Sequence, residues 1–272
     1  MLNMLNKLNI YNNIKERDIY MKKIAIANQK GGVAKTTTTH ALAAGLSKKG
    51  FKVLAVDLDP QGNLSSACGA ECFNVITIYE LMKGGISPEE SIQHINNYDI
   101  IPSNIMLAGA EQELTQTGKE HRLKESLEPI VEKYDYILID TPPSLGILTV
   151  NAFTFANDIL IPTTAGIFAT AGIKQLSDTV KNVKKYCNPS VQIMGILFTR
   201  YNPRANISRE IRELTEQMGK YISAPIYKTY IRSAVSVEEA QAQKTDIFSY
   251  SCKSTVAEDY LTFIDEMLKG EK

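Results

Sequence analysis

The segment NQKGGVAKTTTT, residues 28–39, decides the fold of this chain. It follows a short β-branched and apolar run, KKIAIAN (22–28), and it overlaps a stretch with helical character, TTTTHALAAGLSKK (36–49). A glycine-rich loop between a strand and a helix can bind phosphate, because its backbone N–H groups turn inward and the helix N-terminus attracts an anion. The segment therefore predicts a nucleotide-binding strand–loop–helix unit.

Each polar residue of the loop suits one part of this task. Gly31 and Gly32 provide the turn, and Lys35 provides a positive charge for the β- and γ-phosphates. Thr36 provides a hydroxyl for Mg²⁺, and Thr37 can reach the α-phosphate. A glycine-rich turn without function is the alternative, and the strand–loop–helix context argues against it.

Outward from this loop the chain alternates between continuous apolar runs and helical stretches. Such alternation predicts an α/β fold, with a mostly parallel twisted sheet covered by helices on both faces. Buried strands are predicted at 22–28, 52–59, 98–102, 134–140, 158–163 and 191–198, and helices at 36–49, 104–116, 119–133, 170–186 and 205–218.

One domain is the simplest organisation of the chain. Residues 1–20 combine leucines and asparagines at a spacing of three, and asparagine is a poor helix former. We expect this segment to be an N-terminal tail without its own fold, and residues 21–272 to form a single domain. The chain has 44% hydrophobic and 22% charged residues, which is ordinary for a soluble globular protein.

The cellular compartment is predicted from what the sequence contains. No apolar run approaches the roughly 18 residues of a membrane span, and the first twenty residues lack the pattern of a secretory signal. Four cysteines without metal-binding spacing are expected to be reduced thiols. We therefore expect a cytoplasmic protein.

The segment KGGVAKTTT resembles the deviant Walker A motif of the ParA/MinD ATPases, a P-loop NTPase family with an additional lysine at the start of the motif, here Lys30. In that family the lysine reaches the phosphates held by the partner subunit, so the resemblance implies a homodimer with ATP between the subunits. The resemblance implies ATP contacts by Lys30, Gly31, Gly32, Val33, Ala34, Lys35, Thr36 and Thr37.

Ala34 departs from the ordinary phosphate-binding loop, which has glycine before the lysine. Alanine lacks the freedom of glycine at positive φ, so the loop has to accommodate a Cβ atom there. The family pattern tolerates other residues at this position, and we expect nucleotide binding to survive.

Two further segments resemble the family's switch and metal motifs. VDLDPQGN (56–63) is similar to switch I, which implies that Asp59 positions or activates the attacking water and that Asp57 supports the Mg²⁺ shell. YDYILIDTPPSLG (134–146) is similar to the Walker B strand and switch II, which implies Mg²⁺ binding by Asp140. A strand-end turn and a buried structural aspartate are the alternatives. The implied metal residues are Thr36, Asp57 and Asp140, and the implied catalytic residues are Lys30, Lys35 and Asp59.

The resemblance covers residues 22–268 and is closest to the ParA branch. LAGAEQEL (107–114) and YKTYIRSAVSVEEA (227–240) are similar to further family segments. The branch implies slow ATP hydrolysis, association with the nucleoid, and plasmid or chromosome partitioning with a ParB-type centromere-binding protein. Twenty N-terminal residues are too few for the DNA-binding domain of the longer, autorepressing type.

Basic residues concentrate in the C-terminal third, where residues 174–253 hold 13 Lys and Arg against 7 Asp and Glu. Such a surface is compatible with non-specific binding of double-stranded DNA. Arg204 falls on a family arginine used for DNA, and Arg200 and Arg232 are the other predicted DNA contacts. Two further basic side chains of the same stretch, Arg209 and Arg212, fit either an extended DNA patch or i,i+4 pairs with acidic residues of their own helix.

The segment KTYIRSAVS (228–236) departs from the family's KTxIPRNVR pattern. Ser233 and Ser236 stand where arginines often stand, and Arg232 replaces a proline. The DNA patch is therefore expected to be smaller, or to use a shifted surface. Thr199 and Arg200, which follow a predicted strand, are the candidates for adenine contacts.

Three other functions were weighed against DNA partitioning. A MinD-like ATPase needs a C-terminal amphipathic helix with basic flanks, whereas AEDYLTFIDEMLKGEK (257–272) carries four acidic residues up to Glu266, so its apolar stripe is expected to pack on its own sheet. An iron–sulfur reductase needs cysteines after switch II, and none lies between Asp140 and Cys187. A non-catalytic switch conflicts with the intact Asp59, Asp140 and Lys30.

Overall fold

The computed structural model describes residues 21–166 and 169–270. The predicted N-terminal tail, residues 1–20, lies outside the described residues. The described chain forms an eight-stranded sheet with helices on both faces, so the predicted α/β class is confirmed. The strands are β1 (Lys22–Ile26), β2 (Val53–Asp57), β3 (Gln93–Ile95), β4 (Tyr98–Ile101), β5 (Tyr136–Asp140), β6 (Asp158–Thr163), β7 (Gln192–Phe198) and β8 (Ile226–Tyr230).

Helices connect these strands and cover the sheet. They are α1 (Lys35–Lys48), α2 (Asn63–Cys68), α3 (Ile78–Lys83), α4 (Leu107–Glu113), α5 (Arg122–Leu127), α6 (Ile147–Phe155), α7 (Ala169–Tyr186), α8 (Asn206–Ile222), α9 (Val235–Ala242), α10 (Ile247–Tyr250) and α11 (Thr255–Gly270). Short 3₁₀ helices occur at Pro88–Ser91, Lys119–His121 and Glu128–Lys133.

The strand order is β3-β4-β2-β5-β1-β6-β7-β8. All neighbouring pairs are parallel except β3 with β4. The central strand β1 lies between β5 and β6, and β5 lies between β1 and β2. The loops that follow β1, β2 and β5 therefore leave the sheet side by side, and Asp57 of β2 is in register with Asp140 of β5. Ligands of open parallel sheets bind at this carboxyl edge.

Two hydrophobic cores lie on the two faces of the sheet. In β1, Ala25 belongs to one core, while Ile24 and Ile26 belong to the other. The first core contains residues of α5, α6 and α7, and the second contains residues of α1, α10 and α11. A strand buried on both faces needs apolar side chains at every position, which explains why the sequence shows continuous runs rather than alternation.

The predicted strands and helices agree with the structure to within a few residues, except at one stretch. Residues 119–133 were predicted as one helix, but the structure divides them into a 3₁₀ turn, α5 and a second 3₁₀ helix. Pro129 explains the break, because proline has no N–H to donate and its ring clashes with the preceding turn. The α-helix accordingly ends at Leu127.

The C-terminal helix α11 packs on the sheet as the sequence predicted. Tyr260, Phe263, Ile264 and Met267 are buried in the second core. The Tyr260 hydroxyl lies 3.1 Å from Thr38 Oγ1, which ties α11 to the helix that follows the phosphate loop. Among the described residues, no helix combines the length and apolar character needed to cross a membrane.

The first helix begins with a strained residue. Ala34 precedes α1 with φ 62° and ψ 34°, the left-handed conformation that the sequence analysis anticipated for this position. This conformation brings the Cβ of an L-residue close to its own carbonyl, at a cost of roughly 1–2 kcal/mol. The backbone N–H of Thr38 donates to Ala34 O over 2.9 Å, so the strained residue also supplies the first carbonyl of the helix.

Replacing Ala34 with glycine is expected to raise the free energy of unfolding by about 0.5–1 kcal/mol. Glycine removes the left-handed strain, while its larger unfolded-state entropy offsets part of the gain. Urea denaturation of the nucleotide-free protein measures the difference. Ala44→Gly, in the middle of α1, is the matched control and should lower stability by about 1 kcal/mol. A loss of stability in Ala34→Gly equal to that of the control would contradict the strain.

Candidate functional site

The phosphate loop is anchored to the sheet at both ends. Asn28 Nδ2 donates to Pro162 O of β6 over 2.8 Å, and Asn28 Oδ1 accepts from the Lys30 N–H over 2.9 Å. On the far side, Thr199 Oγ1 donates to Val33 O over 3.0 Å. The loop is thus held by the strands β6 and β7 before any ligand binds.

The two lysines of the loop have opposite environments. Lys35 is buried at the start of α1, and burial lowers the pKa of its ammonium although the nearby Asp140 and Asp59 act to raise it. Lys30 is exposed, and its Nζ lies 3.0 Å from the position that a Cβ on Gly166 would take. Lys35 therefore lies inside the site, where it can bind a phosphate, whereas Lys30 stands at the rim of the site.

Thr36 and Asp140 join the phosphate loop to β5. Thr36 Oγ1 donates to Asp140 Oδ2 over 2.6 Å, and the Thr39 hydroxyl lies 3.4 Å from the other carboxylate oxygen. Asp140 is fully buried, and burial together with the neighbouring Asp57 raises its pKa to about 8. A carboxyl group in this setting is poised to lose its proton when a cation arrives.

Asp57 is buried beside Asp140 and is held by α2. Its Oδ2 accepts from the N–H and the hydroxyl of Ser65, over 2.8 and 2.7 Å, and its Oδ1 accepts from the Asp59 N–H over 3.2 Å. Burial raises its pKa to about 6 although these hydrogen bonds act to lower it. Ser65 Oγ also accepts from the Ser103 N–H over 2.9 Å, so one hydroxyl connects β2 with the end of β4.

Asp59 lies in the turn that follows β2. Its Oδ1 accepts from the Gln61 N–H over 3.0 Å, and its carbonyl accepts from the Gly62 N–H over 2.9 Å. Gly62 has φ 62°, and a Cβ there would lie 3.1 Å from Ser103 O. The DPQG sequence is therefore a tight turn that orients the Asp59 carboxylate, and the turn and the functional interpretations of this motif are compatible.

These residues fit a magnesium–nucleotide complex. Mg²⁺ takes oxygen ligands, keeps several waters, and is usually held by one or two carboxylates together with substrate phosphates. Thr36 and Asp140 provide such oxygens. The raised pKa values of Asp57 and Asp140 indicate that the nearby positive charge does not offset the burial of these two carboxyl groups. No cluster of three or more His, Cys, Asp or Glu side chains suited to a metal ion occurs among the described residues.

A cavity of about 300 Å³ opens beside the phosphate loop. Its lining includes Ala34 and Thr37 of the loop, together with Thr199, Arg200 and Gln241. The size of this cavity and its place beside the loop suit a nucleoside whose phosphates the loop would hold. The two residues that sequence analysis proposed for adenine contacts therefore lie at the cavity, although the Thr199 hydroxyl already donates to the loop.

Sequence analysis missed two supports of the site. Gln241 Nε2 donates to Thr37 Oγ1 over 3.2 Å from α9, and Ser65 orients Asp57 from α2. A lone glutamine or serine carries no motif, so neither was visible in the sequence.

The predicted DNA residues do not share one environment. Arg204 and Arg200 are exposed, and Arg200 has a left-handed φ of 49°. Arg232 forms a bidentate ion pair with Asp259. Its Nε donates to Oδ2 over 2.9 Å, and its Nη2 donates to Oδ1 over 2.7 Å.

The alternative pairing of the α8 arginines is confirmed for one of them. Arg212 pairs with Glu216 over 3.1 Å, as the i,i+4 spacing suggested. Arg209 instead contacts Asn206, one turn earlier in the helix.

Comparison with known proteins places the chain in a family. A family model described as an AAA domain matches residues 21–193. The chain is 41% identical over 250 residues to the sporulation initiation inhibitor protein Soj of Bacillus subtilis, covering 90% of this chain and 98% of Soj. It is 38% identical over 253 residues to the chromosome partitioning protein ParA of Myxococcus xanthus, covering 91% and 88% of the two chains.

A solved structure supports the same assignment for the fold. The cobyrinic acid a,c-diamide synthase of Mycobacterium smegmatis, solved with an ATP analogue and magnesium, has a TM-score of 0.80 and 33% identity, covering 92% of this chain and 95% of that one. The matches to the two partitioning relatives extend over 250 and 253 residues, which is most of this chain. The chain belongs to the ParA/Soj branch of the ParA/MinD family of deviant Walker A P-loop ATPases.

Proposed function

We propose that this protein is a Mg²⁺-dependent ATPase that dimerises with ATP between its subunits, binds non-specific double-stranded DNA, and partitions a plasmid or chromosome with a ParB-type partner. The observation that carries the proposal is the division between the two loop lysines. Lys35 is buried against the site's carboxylates, while Lys30 is exposed at the rim. In a monomer with one bound nucleotide, the exposed Lys30 would have no phosphate to contact.

Each residue of the site has a defined part in hydrolysis. Lys35 and the backbone N–H groups of the loop would hold the phosphates, and Thr36 and Asp140 would supply oxygens to the metal. When bound, Mg²⁺ neutralises charge on the transferred phosphoryl group. Asp59, oriented by its own turn, positions the attacking water in line with that group.

An exposed lysine supports a dimer in which each subunit completes the other's site. A cation inserted from a partner stabilises the transition-state charge in the way an arginine finger does. Lys30 has its backbone fixed through Asn28 while its side chain remains exposed, which suits a group that has to reach outward. Two-fold symmetry then places two such lysines at two nucleotides.

The DNA contacts in this proposal come from exposed cations near the same edge of the sheet. Arg204 and Arg200 follow β7, whose carboxyl end lies beside the nucleoside cavity. Contacts with phosphates require accessible positive charge rather than a sequence-reading element, so binding is expected to weaken steeply with salt. A protein of this kind would be cytoplasmic and associated with the nucleoid.

The MinD-like alternative lacks the exposed apolar helix face on which it depends. Membrane attachment through the C-terminus requires an exposed apolar helix face, but the apolar side of α11 is buried in the second core. The remaining form of that alternative is a protein assembly positioned on another surface.

Binding to non-specific duplex DNA with ATP·Mg²⁺, with ADP or without nucleotide tests the proposal directly. In the Asp59→Ala background, which slows turnover, DNA binding is expected with ATP only. Lys30→Ala should abolish both dimerisation and DNA binding, whereas Arg204→Ala should weaken DNA binding about tenfold and leave the dimer intact. Fluorescence anisotropy and light scattering report the two properties separately.

Lys124→Ala, an exposed cation on α5 outside the basic third, is the control and should behave as the parent protein. An ATP-dependent dimer without DNA binding in any nucleotide state would overturn the DNA part alone. A monomer in every nucleotide state would overturn the shared site.

In the nucleotide-free protein, Asp140 and Asp57 are expected to make stability fall as pH rises from about 4 to 8, and the buried His40, whose pKa is lowered to about 4, opposes this fall below about pH 6.5. The folded pKa values of Asp140 and Asp57, about 8 and about 6, exceed the ordinary value of 3.8, so their stabilising contribution is complete below about pH 4 and is lost as pH rises through the folded values. Asp140→Asn should make stability less dependent on pH. It should also raise the Tm at pH 8, by about 2–4 °C for each kcal/mol gained in the free energy of unfolding.

Thermal unfolding followed by circular dichroism measures this dependence, and added ATP·Mg²⁺ should stabilise the parent protein but not Asp140→Asn. Asp178→Asn, an exposed aspartate on α7, is the control and should retain the parent's pH profile. If the Tm of the parent protein did not change across this pH range, the prediction would be wrong, because ionisation of the two carboxyl groups would then not lower the free energy of unfolding.

A further inference from the structure

Helix α8 exposes an apolar seam that the domain does not cover. Ile207, Leu214 and Tyr221 are 51%, 53% and 71% exposed. They are spaced seven residues apart, so they follow one another along a single line of the helix, about 21 Å from first to last. The buried face of the same helix is formed by other residues, among them Ile211 and Thr215. The seam is therefore additional to the face that packs on the sheet.

The neighbouring helix α7 supplies a positive border to this seam. Lys181 Nζ lies 5.8 Å from the ring centroid of Tyr221, which places the two helices side by side at this point. The exposed charged residues of α7 are Lys174, Asp178, Lys181, Lys184 and Lys185. Lys181 pairs with Asp178 over 3.3 Å, so the net positive charge of this set rests on Lys174, Lys184 and Lys185. An apolar line beside a basic line is the pattern that a helical partner recognises.

We infer that the α7–α8 face is a docking surface for an amphipathic helix of a partner protein, with an apolar seam that packs on Ile207, Leu214 and Tyr221 and an acidic edge that faces the lysines of α7. Heptad-spaced apolar side chains pack against a helix of the same period. Acidic side chains along one edge of that helix would fix its orientation against the lysines, as charged e and g positions do in coiled coils.

A second copy of this chain fits the surface less well. Pairing two such faces about a two-fold axis brings the basic α7 helices of both copies to one interface, and like charges there cost free energy. The surface also differs from the proposed DNA contacts, because apolar side chains add nothing to phosphate binding.

Anionic lipid gains no net attraction from α8, in which three glutamates balance Arg209, Arg212 and Lys220 in number. Glu210, Glu213 and Glu216 are exposed on this helix, and they would repel a lipid surface laid across both helices. Glu210 lies between Ile207 and Leu214 on the seam, so a partner helix has to keep its acidic edge on the side of α7. The inference is independent of the proposed ATPase and DNA functions, since it uses no residue of the nucleotide site.

A defined pair of peptides tests the surface. Both are helices of about 20 residues, long enough at 1.5 Å per residue to cover the seam, with leucines at the seam positions. One carries glutamates at the flanking positions and the other carries lysines. In fluorescence anisotropy with the full chain, the acidic peptide is expected to bind at least tenfold more tightly than the basic one, and high salt should reduce the difference.

Variants of the chain then locate the binding site. Leu214→Ser and Lys181→Glu should each weaken binding of the acidic peptide about tenfold. Val235→Ser and Lys253→Glu replace an exposed apolar residue and an exposed lysine away from these helices, and they should leave binding unchanged. All four positions are exposed, so the variants should keep the parent's thermal midpoint.

Absence of acidic-peptide binding, or equal binding of both peptides, would overturn the inference. So would a loss of binding in the two control variants as large as in the seam variants. Phosphatidylglycerol vesicles and duplex DNA are tested in parallel. If either binds through Leu214, the occupant is a membrane or a nucleic acid and the proposed protein helix is wrong.

Discussion

The hydrogen bond between Thr36 and Asp140 joins the two parts of the chain on which the site depends. The threonine belongs to the phosphate loop after β1, and the aspartate ends β5, more than a hundred residues later. Their 2.6 Å contact is possible because β1 and β5 are adjacent parallel strands whose carboxyl ends share one edge. A change in the order of these strands would separate the metal oxygens from the phosphate loop, whatever residues stood in either motif.

Burial and the proximity of two aspartates explain the electrostatic state of the site, and the Thr36 hydrogen bond acts against the rise in the Asp140 pKa. Asp140 and Asp57 are fully buried next to each other, and Lys35 is the buried cation in their vicinity. Burial raises the pKa of both carboxyl groups above that of solvent-exposed aspartates. A bound cation would favour their charged forms. Affinity for the metal–nucleotide complex is therefore coupled to the free energy of the fold itself.

Much of this arrangement was predictable from the sequence because its signals are local. A continuous apolar run predicts a strand buried on both faces, and Asp140 follows directly on such a run. The left-handed backbone of Ala34 was also expected, since the phosphate loop ordinarily has glycine there. The division of residues 119–133 was also predictable, because Pro129 lies inside this stretch and proline interrupts a helix.

The remaining features depend on contacts between distant segments. Ser65 holds Asp57 only because α2 folds back over β2, and Gln241 reaches Thr37 across 204 residues of sequence. Neither side chain lies in a pattern with a period or a spacing. The strands β3 and β8 were missed for a related reason. Both lie at the edges of the sheet, where polar residues such as Gln93 and Lys228 replace the apolar runs of the centre.

The residues around Arg232 that differ from the family pattern lower the positive charge of the surface more than a count of basic residues suggests. Ser233 is exposed and neutral, and Ser236 Oγ is buried without a hydrogen-bond partner among the described residues. The guanidinium of Arg232 is matched by both oxygens of Asp259, a geometry that satisfies the charge within the chain.

The loop after β8 therefore contributes little net positive charge, although its sequence contains an arginine. Arg204 and Arg200, on the loop after β7, remain as the exposed cations of this part of the sheet edge. Each phosphate contact adds to the steepness with which DNA affinity falls with salt. A surface with fewer free arginines than the family pattern should accordingly bind DNA with a shallower salt dependence, and should rely more on the two-fold repetition of its contacts in a dimer.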